Sequence, residues 1–129
     1  MAKACPDAVI NAALNYIAEC DLLIVCSTQP TTYTQAITDY KIADIAITPG
    51  DGQGDFVVAD DAVSPYGRKL TIGAQSAVPI DTSATALHIA LTKSGDTTLR
   101  YVTTCTSQAL TSGGTVDVPA FKIQIGDPT

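Results

Sequence analysis

The first regular hydrophobic pattern lies near the N-terminus and predicts a helix over about residues 6–19. Apolar side chains recur there at three- and four-residue spacings, at Ile10, Ala13, Leu14 and Ile17. Pro6 suits the first helical position, and the negative charge of Asp7 complements the positive end of the helix dipole. We expect this apolar stripe to dock on the core of the same chain, as is usual for an amphipathic helix.

From Leu22 the pattern changes to short apolar runs that predict strands. Residues 22–27 form a continuous apolar run of strand length, and apolar residues between 42 and 47 predict a second strand. Residues 29–32 interrupt the pattern between these two strands. The pattern of residues 33–40 fits both a short helix and an irregular turn.

The second half of the chain is predicted to be a series of short strands separated by turns. Apolar runs or alternations mark these strands at residues 56–59, 68–75, 78–80, 87–92, 99–103, 116–118 and 121–125. The clearest hairpin joins residues 87–92 to 99–103 through a turn at 93–96. Leu87, Ile89 and Leu91 are expected on one face of its first strand, with His88 on the other. Pro79 is expected at a sheet edge or a bulge, because proline cannot donate a ladder hydrogen bond.

Length and composition agree with this strand-rich pattern. The chain has 129 residues, of which 46% are hydrophobic but only 5% aromatic, and it is rich in Val, Ile and Thr. The expected fold is mainly β, a β-sandwich or barrel-like single domain over residues 1–129. Its β-rich body spans about residues 22–126, and the N-terminal helix covers an open end or edge.

A glycine-rich segment at residues 49–55, PGDGQGD, is expected to be a flexible, solvated loop. Its glycines superficially resemble those of a phosphate-binding loop, and its acidic residues those of a calcium loop. The spacing matches neither the dinucleotide or P-loop glycine patterns nor an EF-hand. The loop therefore predicts no ligand.

Charge and hydropathy exclude two classes of partner. Thirteen acidic and seven scattered basic residues give a net charge of −6, which disfavours a phosphate-binding surface for nucleic acid. The longest apolar run, residues 22–26, is too short to cross a bilayer. The N-terminus shows no secretory signal, so we expect synthesis in a cytoplasm and a soluble protein.

Few residues could perform chemistry. His88 is the only histidine, and the sequence contains neither a G-x-S-x-G elbow nor an H-E-x-x-H motif. Asp60 and Asp61 are expected in a solvated turn and not as a catalytic carboxylate pair. We expect no enzyme, and we predict no catalytic, cofactor-binding or metal-binding residues and no cofactor.

The four cysteines, Cys5, Cys20, Cys26 and Cys105, show no metal-binding pattern. None forms a C-x-x-C pair, and His88 has no cysteine near it in sequence. We expect four reduced and mostly buried thiols. A disulfide stays open if the mature protein is extracellular, and three full pairings would then be possible.

Polar but weakly charged β surfaces suit burial in an assembly, because few ionised groups must leave water. In agreement with this, four segments resemble small virion proteins of tailed bacteriophages. They are CSTQPTTYTQA (residues 26–36), GRKLTIGAQS (67–76), LHIAL (87–91) and LRYVTTCTSQALTSGGTVDVPAFKIQIGDP (99–128). The resemblance covers most of the chain, apart from an apparent glycine-rich insertion at residues 51–55, and it carries no site residues.

The resemblance implies a structural role in the virion of a tailed bacteriophage. The expected function is that of a capsid decoration or cement protein, synthesised in the host bacterial cytoplasm, whose partners are the major capsid protein and copies of itself. A neck, nozzle or tail component is the alternative. A small ligand-binding module or enzyme is the remote alternative, and it would require a pocket with perturbed titratable groups around His88.

Overall fold

The computed structural model describes residues 6–61 and 67–126. It contains one α-helix, one π-helical turn and nine strands: α1 (Asp7–Ala18), β1 (Leu22–Cys26), the π-helical turn (Gln35–Asp39), β2 (Lys41–Ala46), β3 (Phe56–Asp61), β4 (Gly67–Ile72), β5 (Gln75–Pro79), β6 (Ala84–Lys93), β7 (Thr98–Leu110), β8 (Thr115–Val118) and β9 (Phe121–Gly126). The predicted class, mainly β with one N-terminal helix, is confirmed. The several antiparallel sheets are consistent with a sandwich-like domain.

The described residues form two compact units. The first comprises residues 6–19, 48–61, 67–74 and 119–126, and the second comprises residues 20–47 and 75–118. The first unit contains one antiparallel sheet and the second contains two, and each unit has its own buried residues. That the whole chain behaves as one domain stays a prediction.

In the first unit, α1 packs on a three-stranded sheet of order β3-β4-β9, through β4 and β3. Ile10 and Leu14 are buried, as predicted, whereas Ile17 is half-buried and Ala13 is exposed. Ala18 is buried instead, so the docked face is rotated slightly around the helix from the predicted stripe.

The N-terminus of α1 lies one residue later than expected. Pro6 has a ψ of 142°, which is not helical, so it is the N-cap and Asp7 is the first helical residue. The carbonyl of Pro6 accepts a hydrogen bond from the Val9 amide at 3.0 Å. The acidic side chain of Asp7 therefore lies in the first turn, where it complements the helix dipole.

The second unit contains a four-stranded sheet of order β2-β1-β6-β7 and a two-stranded sheet of β5 and β8. β1 is central and almost entirely buried, as its continuous apolar run predicts. Residues 33–40, whose sequence pattern fitted both a short helix and an irregular turn, contain the π-helical turn. This turn packs against β1 and β2, and its Ala36 joins Ile24, Cys26 and Ala90 in one buried cluster.

Two predicted strands differ from those observed. The strand predicted over residues 68–75 ends at Ile72, and β5 belongs to another sheet, where it pairs with β8. A bulge between Gln75 and Val78 contains Ala77 at a φ of 55°. Pro79 ends β5 in this two-stranded sheet, so its predicted edge position is confirmed.

The predicted hairpin is confirmed as β6 and β7, but its alternation is interrupted. Leu87 is 39% exposed although Ile89 and Leu91 are buried. The pairing register shifts between Ala86 and His88, where the extra residues lie in β7 between Thr104 and Gln108. Burial along β6 therefore does not follow a simple alternation at Leu87.

Candidate assembly surface

His88, the one candidate for acid–base chemistry, lies half-buried in the middle of the four-stranded sheet. Its backbone pairs with Cys26 of β1 on one side and Thr104 of β7 on the other. Its Nδ1 is buried and has no hydrogen-bond partner in the part of the chain that the structure describes. A catalytic histidine of the triad type needs an acidic partner at this nitrogen to orient the ring, and none is present among those residues.

We expect His88→Ala to leave the protein folded and its biological role intact. The substitution removes a buried nitrogen that makes no hydrogen bond, so the free energy of unfolding should change by about 1 kcal/mol or less. Thermal unfolding of the purified variant and infectivity of particles that carry it are the two measurements. Loss of infectivity in a variant that folds normally would contradict the prediction.

Asp60 and Asp61 end strand β3 and do not form the predicted solvated turn. Asp60 lies directly across from Arg68 of β4, and its Oδ1 accepts a hydrogen bond from the Arg68 Nη1 at 2.6 Å. The Nε of Arg68 also donates to Asn11 of α1 at 2.8 Å. Arg68 thus links the helix to the sheet beneath it, and Asp60 serves this structural contact.

The loop at residues 49–55 is tied to its surroundings by backbone hydrogen bonds. The Gly50 amide donates to the carbonyl of Ala18 at 2.8 Å and so caps the last turn of α1. Gly50 has a φ of 103°, which favours glycine there. The carboxylates of Asp51 and Asp55 accept hydrogen bonds from the amides of Val58 and Thr48. The acidic residues that resembled a calcium loop therefore hold the turn.

Three cysteines lie in the described residues, and all three are free thiols; Cys5 lies outside them. Cys20 and Cys26 are buried, and Cys105 is half-buried. Burial raises the pKa of Cys20 to about 12 and that of Cys26 to about 12, and it also raises the pKa of Cys105. The Cys26 thiol donates a long hydrogen bond of 3.9 Å to the carbonyl of Ala36. Cys20 and Cys26 are thus protonated and unreactive at neutral pH.

We expect Cys20 and Cys26 to resist alkylation in the folded protein. Their pKa rises from 9.0 to about 12, which lowers the thiolate fraction at pH 8 about 1000-fold, even before access is considered. Iodoacetamide labelling read for each cysteine by peptide mass spectrometry tests this, with the urea-unfolded protein as the fully reactive control. Rapid labelling of Cys26 in the folded state would contradict its placement in the core.

The outer face of α1 is the most unusual surface of the first unit. It consists of exposed residues on the side away from the sheet: Ala8, Val9, Ala12, Ala13, Asn15 and Tyr16. Val9 is 59% exposed and Tyr16 is 51% exposed. No charged residue occurs between Ala8 and Ala18. A helix on the surface of a soluble domain normally carries charged residues on its outer side.

A shallow groove continues this surface. It is lined by the C-terminal half of α1 and by the loop that caps it, with Ala12, Asn15, Tyr16, Glu19, Gly50 and Asp51 as its walls. Its charged residues, Glu19 and Asp51, lie where the helix ends and the loop begins. The outer face of α1 and this groove together form the candidate assembly surface.

A scan against protein-family models and searches of curated proteins and of solved structures find no match. Within residues 6–61 and 67–126, no helix is long and apolar enough to cross a bilayer. The same residues contain no group of three or more His, Cys, Asp or Glu side chains placed to hold a metal ion.

The outer face of α1 was not among the features predicted above, although its signal is present in the sequence. The apolar spacing located the docked side correctly at Ile10 and Leu14. The opposite side shows only alanines, Val9, Asn15 and Tyr16, with no lysine, arginine or acidic residue. The absence of charge on both sides of a short helix was the signal that could have found this surface.

Proposed function

We propose that this protein is a virion structural protein of a tailed bacteriophage, a capsid decoration protein that stabilises the assembled shell. The observation that carries the proposal is the exposed but uncharged outer face of α1. The likeness of four segments to small virion proteins supports the same role. In this function the outer face of α1 contacts the capsid surface.

Physical chemistry favours this face as a contact. Covering the exposed halves of Val9 and Tyr16 would contribute about 1 kcal/mol each, from apolar area removed from water. Ala12 and Ala13 between them allow a partner to approach the helix backbone closely. No charged group on the outer face has to be desolvated, so little of this gain is lost.

A decoration protein gains its affinity from arrayed subunits. Each contact with one capsid subunit is weak, but joining two or more contacts raises the effective concentration and gives tight net binding. We therefore expect tight binding to the assembled, expanded shell and weak binding to free capsid subunits. The uncharged contact should also resist moderate salt, unlike a contact held by surface ion pairs.

The experiment is to remove the protein from particles by deletion or stripping and to add it back. Shells without it should melt at a lower temperature, and added protein should restore the melting temperature. The double variant Val9→Ser with Tyr16→Ser should bind the shell at least about tenfold more weakly, the equivalent of about 1.4 kcal/mol. Val57→Ser, at an apolar residue of β3 that is 48% exposed, is the matched control and should bind normally.

Three results would each contradict a different part of the proposal. Unchanged shell melting, with the protein fractionating with detached tails, would support a neck, nozzle or tail component. Normal shell binding by the Val9 and Tyr16 variant would leave decoration standing but would show that another surface makes the contact. A purified particle that lacks the protein altogether would remove the virion role.

A further inference from the structure

A chain segment caps one edge strand in each of the two larger sheets. At β2, the carbonyl of Ile42 accepts hydrogen bonds from the amides of Asp81 and Thr82, at 2.8 and 3.2 Å. At β3, the carbonyl of Phe56 accepts from Gly52, and the amide of Val58 donates to the Asp51 side chain. These contacts occupy backbone groups that would otherwise pair with another strand.

The edge strand β7 has no such cap over Tyr101–Leu110. It pairs only with β6, and outside that ladder no backbone hydrogen bond reaches these ten residues in the described part of the chain. In an antiparallel ladder about half of the backbone groups of an edge strand point away from its one neighbour. β7 therefore presents a row of amides and carbonyls to an incoming strand.

The side chains of this edge do not protect it in the usual ways. Natural edge strands are commonly guarded by lysine, proline or inward charge, but residues 101–110 contain no charged residue and no proline. The side chain of Arg100, the nearest charged residue, is directed toward the turn between β6 and β7. Its side chain is 2% exposed, and its Nη2 lies 2.8 Å from Asp96 Oδ2. The guanidinium therefore does not guard the edge.

Two bulges define where regular pairing is possible. The register of β6 and β7 shifts beside Arg100 and again after Thr104, which leaves Tyr101–Thr104 as an unbroken run. Bulges bend a strand and interrupt its ladder. An incoming strand would therefore pair with this run of four residues, and the exposed residues 106–109 would flank the contact.

We propose that the β7 edge pairs antiparallel with the β7 edge of a second copy of this chain, forming a two-fold dimer. Symmetry favours this occupant, because two identical edges that pair antiparallel satisfy each other about a two-fold axis. The uncharged strand is also where two copies that each carry a net charge of −6 repel one another least. The pairing joins two four-stranded sheets into one continuous sheet across the dimer. It covers both free β7 edges, so association through this surface stops at two copies. The dimer concerns the protein alone and does not depend on the virion role.

Analytical ultracentrifugation of the purified full chain over a range of concentrations tests the dimer. We expect a mass twice the 13.3 kDa of one chain at high concentration, falling toward one chain on dilution. Thr104→Lys with Thr106→Lys places two charges on exposed positions of the edge, and it should raise the dissociation constant at least tenfold. Thr28→Lys with Thr82→Lys adds the same charge at exposed positions outside β6 and β7 and should leave the mass unchanged.

Amide hydrogen exchange keeps the test decisive if the lysine variant folds poorly. In the wild-type protein, amides within Tyr101–Thr104 should gain protection as the concentration rises, while amides of β3 should not. A single-chain mass at every concentration would overturn the proposal. So would a dimer whose β7 exchange is independent of concentration, or one that the folded Thr104 and Thr106 variant leaves intact.

Discussion

We expect Leu14→Ala to lower the free energy of unfolding by about 2–4 kcal/mol, because it leaves a cavity where α1 meets its sheet. Leu14 is fully buried in the first unit, and α1 packs on β4 and β3 there. Deleting a buried leucine side chain removes both its transfer free energy and its packing contacts. Urea denaturation followed by far-UV circular dichroism measures the change.

Val9→Ala is the matched control on the same helix. Val9 is 59% exposed, so its truncation should change the free energy of unfolding by only about 0.5 kcal/mol. A similar loss in both variants would show that α1 is not docked through its Leu14 side. A small loss for Leu14→Ala alone would contradict the cavity argument.

Ile24→Ala is expected to have the largest effect in the second unit, a loss of about 2–5 kcal/mol. Ile24 is fully buried on the central strand β1, in the cluster with Cys26, Ala36 and Ala90. The π-helical turn packs against this part of the sheet, so the cavity would also loosen its anchor. Equilibrium unfolding in urea gives the loss of stability.

Ile24→Val is the control at the same position, and it should cost only about 0.5–1.5 kcal/mol because the cavity is smaller. A cost for Ile24→Ala no larger than for Ile24→Val would contradict the tight packing of the cluster. Together with Leu14→Ala, this variant also tests the single-domain prediction. If the chain is one cooperative domain, residues of both units unfold in a single transition. Either substitution should then shift that transition to a lower urea concentration.

The elements that the sequence predicted well are those that a local pattern of apolar residues defines. The apolar spacing of Ile10 and Leu14 located α1 and its docked side, and the hairpin of β6 and β7 followed from alternation around a turn. The continuous apolar run of residues 22–26 identified a buried strand that is central in its sheet. Each of these features depends on local backbone geometry and on side-chain periodicity.

The candidate assembly surface was only partly predictable. An uncharged stretch from Ala8 to Ala18 is visible in the sequence, but which of its residues stay exposed depends on the sheet that α1 covers. The open edge of β7 could not be predicted at all. A strand becomes an edge only by the absence of a second neighbour, and periodicity within the strand carries no information about neighbours.

The sequence by itself determined that this chain is mainly β with one N-terminal helix, because Val, Ile and Thr with short alternating runs favour a pleated backbone. Only the tertiary structure decided which strands pair. β8 and β9 are separated by two residues, yet β8 pairs with β5 and β9 pairs with β4. It also decided that β4 and β5, which one alternation seemed to join, belong to different sheets. The reason is physical: the ladder hydrogen bonds of these pairs join residues far apart in the chain, and each partner is selected by the packing of the whole sheet.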